Sequence, residues 1–576
     1  MKTHNTCKDF NEFHGADVFS HGHLPIAASF CRRLGLVELV NKLVPSKMIL
    51  KPGTAVLSMV LDTLSGRTPL YRVKDFMTGQ DRELLLGEAV PATMFNDTNL
   101  ARSLDAIFEA GSSKIITELG IRASEIFQLD STIPSYDTTS TSLWGDYRSC
   151  ESDKPKPGPV ITHGHSKDGQ PQLKQFMTEL LCVDRGIPIF GKTLDGNSSD
   201  KTSNNTILTR ISSIMSKHGL GSGAFVYVAD SAMVTEKNLE KVGKNLFISR
   251  LPATYAECQR AISQAVTAKT WIDIGKLAET TTGSSRPCAN YKTFETTVEL
   301  HNKTYRAVVV HSSSHDKRRQ NKLDKTVANS VKSIDSELKK LATVYFCEAD
   351  AKAAAKHAEN LSGKLHTVKA SVCALEVRKP GRPPIDKLTP TNTRYKLSCN
   401  IVENPIEIDK ERSIAGCFVL LTNVPIKENN AMDGKKLLQT YKGQYCVESD
   451  FAFLKDPLIV NDIFLKTPSR IDALAMILII SLMIWRLMER SMRLYVQNTK
   501  TMLPGWRDRN TDKPTSFMMA TAIVGIMVIS IGKQRKFLRE PNDRHLAFLT
   551  ALGLTSSVFL DPNCKCQVIT PLNLVK

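Results

Sequence analysis

The sequence predicts a mixed α/β fold with helical regions at both ends, and three observations predict it. Apolar residues recur at helical spacing up to about residue 120, short apolar runs bounded by turn residues begin at Glu125, and apolar stretches with few charges return after Ile471. At 576 residues, 41% of them hydrophobic, the chain can build several packed domains.

Leu24 to Val44, Thr54 to Leu64, Leu70 to Met77 and Ala101 to Leu119 read as amphipathic helices, with a break at Ser65-Gly66, giving a helical domain over residues 1–120. Lys51, Arg67, Arg72 and Lys74 suit a helix-turn-helix reader of DNA, and a plain helical bundle has as good a claim. Ile126 to Asp130 is expected as a first strand ending on a carboxylate. Met177 to Val183 and Ile187 to Leu194 form a hairpin about Asp184-Arg185-Gly186, and Phe225 to Ala229 is a strand ended by Asp230. A helix through Lys237 to Val242 and a strand at Leu246 to Ser249 close the first part of a core, 121–250.

Residues 251–396 read as an inserted α+β domain. It holds a hairpin (Tyr291 to Leu300, Tyr305 to His311) and a long helix on which Leu323, Val327, Val331, Ile334, Leu338 and Leu341 make one apolar seam. From His315 to Pro384 there are 15 lysines and arginines against 8 acids, so this domain is expected to lie over a polyanion or to present a solvated face. Near its end Arg378-Lys379-Pro380-Gly381-Arg382-Pro383-Pro384 reads either as an extended arginine hook for a narrow minor groove or as a stiff linker. Phe418 to Thr422 is the last core strand, within a second core part over 397–495, and 496–576 is expected to be helical.

Lysine plus arginine number 76 against 58 acids, a net charge of +18 that favours nucleic acid as partner through counterion release. The 13 cysteines include no Cys-x2-Cys pair, so disulfides and a zinc site at Cys564 and Cys566 are not expected, and a reduced cytoplasmic setting is. The N-terminus has no signal-peptide pattern. Pro514 to Gly532 and Ile471 to Trp485 are apolar enough to raise the membrane question and are expected as buried helices, with no membrane partner. Gly186 to Thr193 fits the phosphate-loop pattern Gly-x4-Gly-Lys-Thr, yet Pro188 lacks an N–H and Ile189-Phe190 favour a strand, which argues against a phosphate cradle.

The most informative motif lies in the second core part. Tyr441, Gln444, Glu448 and Lys455 fall on one stripe of a helix at about 100° per residue, and upstream Asp130 and Asp230 each end a strand-like run. The spacing Tyr-x2-Gln-x3-Glu-x6-Lys resembles the tyrosine, arginine, glutamate, lysine signature of bacterial DDE transposases of the insertion-sequence-four family, with glutamine in place of arginine. Gly164-His165-Ser166-Lys167-Asp168, Lys174-Gln175, Gly196-Asn197 with Asp200, and Arg250 after the last strand are similar to the same family, so the likeness runs from about Phe127 to Lys455.

The resemblance implies a ribonuclease-H-like catalytic core with an insertion between the second aspartate and the glutamate. It implies that Asp130, Asp230 and Glu448 hold two Mg²⁺ ions, with Mn²⁺ as an alternative, for phosphodiester hydrolysis and strand transfer. Tyr441, Gln444, Lys455, His165, Lys167, Arg250 and Arg382 are then expected to contact double-stranded DNA at the element ends and target. Glutamine at 444 brings no charge, so the arginine's phosphate contact is weakened or passes to Lys442. The implied protein is a cut-and-paste transposase acting as a homodimer on DNA in the bacterial nucleoid. A standalone metal-dependent nuclease or an inactive DNA-binding relic would carry the same motif.

Overall fold

The computed structural model describes residues 16–147, 157–277, 288–378, 391–427, 430–456 and 463–570. They divide into two compact units, one holding the chain up to Ser249 with Asn423–Ala431 and everything from Thr440, the other holding Arg250–Thr422 and Met432–Gln439.

The first unit begins with a short strand, β1 (Asp17–Phe19), and seven helices: α1 (Leu24–Leu34), α2 (Leu36–Leu43), α3 (Pro52–Leu64), α4 (Val73–Thr78), α5 (Arg82–Leu86), α6 (Asp97–Ala110) and α7 (Ser112–Phe127). Two helices expected as continuous are each split by a glycine with positive φ, Gly35 at 67° and Gly111 at 94°. α7 runs on past Leu119, so Ile126 and Phe127 are its last turn and the strand expected there does not exist. Ile115, Leu119, Ala123 and Phe127 step by four and are all buried, a helical period that a short apolar run conceals. Gln128, at φ 52°, ends the helix.

The core strands come next: β2 (Ser135–Leu143), β3 (Lys174–Val183) and β4 (Ile187–Leu194), then α8 (Asp200–Lys217), β5 (Val226–Ala229), α9 (Glu236–Val242) and β6 (Leu246–Arg250). Their order is β4-β3-β2-β5-β6. β2, β3 and β4 are antiparallel, whereas β5 runs parallel to β2 and β6 parallel to β5. The β3–β4 hairpin turns through Asp184, Arg185 and Gly186, all at positive φ. Beyond Gly186 the chain continues directly as strand β4, so no helix N-terminus is available there to cradle phosphate. β2 reads Ser-Tyr-Asp-Thr-Thr-Ser-Thr-Ser-Leu, with almost no apolar signal, but tyrosine and threonine favour the extended backbone.

The second unit contains α10 (Ala256–Ala268), β7 (Ile272–Lys276), β8 (Asn290–Leu300), β9 (Lys303–Ser312), α11 (Ser313–Leu341), β10 (Val344–Tyr345), α12 (Glu348–Glu359), β11 (His366–Arg378), β12 (Thr391–Glu403), α13 (Pro405–Ile414) and β13 (Cys417–Thr422). One set of strands lies in the order β13-β9-β8-β7, another in the order β10-β12-β11. The expected hairpin and long helix are β8–β9 and α11. The seam of α11 packs through Ile334, Leu338 and Leu341 against Ala358, Val368, Cys399 and Ile401.

The chain then forms α14 (Gly434–Gly443), α15 (Tyr445–Lys455) and the 32-residue α16 (Pro468–Thr499). Among the described residues α16 is the one helix long and apolar enough to cross a membrane, but 89% of its most apolar window is buried within the protein. A helix apolar on every side needs neighbours on every side, and α1, α3, α6, α7 and β4 supply them. Gly120 lets α7 lie against β4, because a Cβ there would sit 2.6 Å from the Ile189 carbonyl oxygen.

The C-terminal region is mixed where helices were expected: β14 (Leu503–Pro504), β15 (Asn510–Thr511), α17 (Ser516–Ala522), β16 (Val528–Ile531), β17 (Gln534–Phe537) and α18 (Asp543–Ala551). Gly525, at φ 97°, stops the apolar stretch from continuing as one helix. β1 pairs antiparallel with β16, so both ends of the chain belong to the first unit. Cys31, Cys182, Cys258 and Cys566 are buried, whereas Cys347 and Cys373 are exposed, and none of these is in a disulfide.

Candidate active site

β2 brings the first acid of the site, and it is Asp137. On the parallel pair β2–β5, Ser135 aligns with Val228 and Tyr136 with Ala229, so the next residues, Asp137 and Asp230, come level at the end of β5. Asp230 caps the turn there, accepting from the Ala232 amide at 3.2 Å, and its carbonyl accepts from Ser249 Oγ at 2.7 Å. Beneath them the strands are fixed by buried phenols: Tyr136 donates to Glu179 at 2.7 Å and Tyr227 to Asn204 at 3.0 Å.

A lysine and a third acid complete the cluster. Lys167 Nζ donates to the Thr138 carbonyl at 2.7 Å and lies 3.1 Å from Asp200 and 3.9 Å from Asp137. Asp200 starts α8 behind the cap Ser199 and accepts from Thr138 Oγ1. The loop that carries Lys167 is seated by Gly164, where a Cβ would stand 2.0 Å from the Gly196 carbonyl oxygen, and by Gln175, whose amide donates to that same oxygen at 2.7 Å. The scattered segments around Gly164, Lys174-Gln175, Gly196 and Asp200 thus converge beside β2.

α15 lies along this assembly. Gln444, at its start, is buried and donates to the Tyr136 carbonyl at 3.4 Å, while Lys455, at its end, pairs with Asp168 beside Lys167. Glu448 follows Gln444 by four residues and precedes Lys455 by seven, which keeps all three on one side of the helix. Both anchors of that side reach the neighbourhood of Asp137. Glu448 thus shares the side of α15 that carries Gln444 and Lys455, and it is exposed and without a hydrogen bond or ion pair among the described residues.

Crowding of acids shows in their proton affinity. Burial, reinforced by the charges of Asp230 and Asp200, pushes the Asp137 carboxyl up to about 7 even though Lys167 pulls it down. Burial and then Asp200 likewise raise Asp230. One ammonium does not neutralise three carboxylates, so the cluster has an unmet demand for positive charge. All its donors are oxygens, the preference of a hard divalent ion such as Mg²⁺, which keeps several waters and needs only one or two carboxylates. Among the described residues no three His, Cys, Asp or Glu side chains stand close enough to hold a metal by themselves.

Several expected site residues lie elsewhere or act differently. Asp130 stands before β2, where its amide donates to Asp184 and its carboxylate accepts from the Thr132 amide at 3.0 Å. The Thr132 carbonyl accepts from Val226 at the start of β5, so Asp130 is at the opposite end of the strand from Asp230, more than about 13 Å away at about 3.3 Å per residue. It is a turn cap and not a partner of Asp230. Gln444 is spent on β2 and cannot serve as a phosphate clamp. Tyr441 lies in the last turn of α14, with the Gln444 amide bonded to its carbonyl at 3.2 Å, so the expected single helix is two helices joined by a tightened turn.

Lys167 faces the acids, and His165 is exposed in the same loop. Arg250 belongs to the second unit, its guanidinium 5.1 Å over the Phe418 ring. Arg67, expected at a DNA-reading surface, is 4% exposed. Arg382 and its flanking prolines lie outside the described residues. Asp137 escaped sequence reasoning based on apolar runs, whereas Asp200 was marked by the resemblance alone. The alternation of hydroxyl side chains around Asp137 was the available signal.

Residues 16–121 match the family described as "Domain of unknown function (DUF4277)". This stretch covers β1 to most of α7 and contains none of the clustered acids. No curated protein matches the chain.

Proposed function

We propose that this protein is a DNA transposase of the DDE type, catalysing cut-and-paste movement of a bacterial insertion sequence through Asp137, Asp230 and Glu448. The single observation that carries the reading is the alignment of Asp137 with Asp230 on adjacent parallel strands, with Glu448 on the helix laid along them. The strand order supports it. Three antiparallel strands and then two parallel ones, in the order β4-β3-β2-β5-β6, is the arrangement of a ribonuclease-H-like core, and the chain between β6 and α15 supplies the insertion.

Asp137 and Asp230 would hold Mg²⁺ or Mn²⁺, with Glu448 contributing from α15. Such ions, when bound, activate the attacking oxygen and stabilise the leaving one in an in-line displacement. The chain's own residues prepare the ground. Asp200 and Thr138 hold the Lys167 ammonium against the acids, so positive charge already stands where a phosphate must approach. Lys455 and Asp168 fix the far end of α15, and Gln444 fixes its near end, which sets the height of Glu448 along β2. Water then attacks the phosphodiester at the element end, and the freed 3′-hydroxyl is the nucleophile for strand transfer. A dimer on double-stranded DNA would bring two ends together.

Purified protein with labelled terminal-repeat DNA and Mg²⁺ tests this. Nicked and joined products are expected from the native chain and from Asp130→Ala. Loss is expected in Asp137→Ala, Asp230→Ala and Glu448→Ala. Cleavage that survives in Asp137→Ala overturns the assignment, and cutting without joined products makes the protein a nuclease instead.

A further inference from the structure

The outward face of α11 segregates charge in a way a merely solvated helix does not. Taking Arg318 as the origin, about 100° per residue places Lys322, Lys325, Lys332, Lys339 and Lys340 within roughly 60° of it, with the uncharged Asn329 and Ser336 between them. The apolar seam, Leu323 to Leu341, lies on the opposite side, where Ile334 is buried against Val368 and Ala358. Asp324, Asp335 and Glu337 stand at the flanks, about 100–120° away, and none enters the stripe. At the C-terminal end the flanking acids neutralise the last cations, Asp335 pairing with Lys339 and Glu337 with Lys340. Arg318, Lys322, Lys325 and Lys332 are exposed and have no ion pair among the described residues.

We propose that this stripe is a docking surface for the phosphate backbone of double-stranded DNA, with Arg318, Lys322, Lys325 and Lys332 as its contacts. Charge complementarity selects the partner. Arg318, Lys325 and Lys332 recur every seven residues, about 10.5 Å apart, and with Lys322 form a line of cations about 21 Å long. Contacts from this row of cations to phosphate oxygens position the DNA without choosing its sequence. The seam on the other face holds α11 to β11, β12 and α12, which keeps the four cations in line without cost to the unit's packing. This inference rests on the DNA-acting reading of the protein.

The test is equilibrium binding of a duplex of about 40 base pairs to the full chain over a series of salt concentrations, comparing the native protein with Arg318→Gln/Lys322→Gln/Lys325→Gln/Lys332→Gln. A control variant neutralises four exposed cations elsewhere, Lys237, Lys244, Lys533 and Lys565. Each phosphate contact contributes about 0.9 to the slope of log affinity against log salt, so the stripe variant should lose about three to four from that slope and bind at least about a hundredfold more weakly at 0.1 M salt. The control should match the native slope. All substituted side chains are exposed, and an unchanged melting temperature checks that the fold is kept. If the stripe variant retains the native slope and affinity, the docking surface is overturned while the transposase reading stands. If the native chain does not bind duplex DNA, both fall.

Discussion

Asp137 and Asp230 stand level on parallel strands, one residue beyond the aligned pair Tyr136 and Ala229. Two carboxylates placed in this way, with Asp200 close behind, repel one another, and the fold tolerates the arrangement because Lys167 partly offsets it. A site assembled at the expense of its own stability yields predictions about stability as well as about activity.

The metal-free protein should be stabilised by Asp137→Asn. The carboxyl titrates at about 7 in the fold against 3.8 as its ordinary value, so the folded state holds a proton that the unfolded chain has lost across that window. Stability from this group therefore falls as pH rises from about 4 to 7 and is lowest above 7. Melting curves at pH 8 should show the variant a few degrees above the native chain, with the two converging near pH 4. A variant less stable than the native protein at pH 8 would contradict this linkage.

Removing the lysine should have the opposite effect. In Lys167→Gln the three acids lose the one ammonium that stands close to them among the described residues, so Asp137 should take up its proton at still higher pH and the melting temperature at pH 8 should drop. Mg²⁺ at millimolar concentration should recover more of that loss in the variant than it adds to the native chain, because binding to the folded state alone stabilises by mass action. Equal responses of both proteins to Mg²⁺ would show that the acids and the ion do not meet.

Arg490 should matter to the fold and not to the chemistry. It pairs with Asp184 at 2.6 Å and donates to the carbonyls of Phe127 and Gln128, closing the end of α7. Arg490→Ala leaves Asp184 largely buried without its cation, a loss of about 3–5 kcal/mol by the usual range for such pairs. Asp130→Ala, which removes only a turn cap, should cost about 1 kcal/mol. Denaturant unfolding would rank the two, and a larger loss from Asp130→Ala would be evidence for a role beyond capping.

Restoring the arginine of the resembled signature should fail. Gln444 is 8% exposed and bonded to the Tyr136 carbonyl, so Gln444→Arg must bury a guanidinium or displace the start of α15. The expected result is a less stable protein with no gain in DNA affinity, measured by melting and by duplex titration. A gain in affinity at unchanged stability would mean that α15 rotates on DNA.

The amino-acid sequence by itself determined those elements whose signal is local. The β3–β4 hairpin, β5, β6, the β8–β9 hairpin and the long helix α11 come from apolar periodicity and turn residues, and all appear in the structure. Only tertiary structure decided the first acid of the site. β2 is polar in sequence and becomes a strand because its phenol finds Glu179 on β3 and its Thr138 hydroxyl finds Asp200 at the start of α8, whereas the apolar run before Asp130 belongs to the end of a helix. Pairing register, a property of two strands together, sets Asp137 beside Asp230 and leaves Asp130 at the far end. The same reason put Gln444 in the core: its bond to the Tyr136 carbonyl joins residues 308 positions apart in the chain.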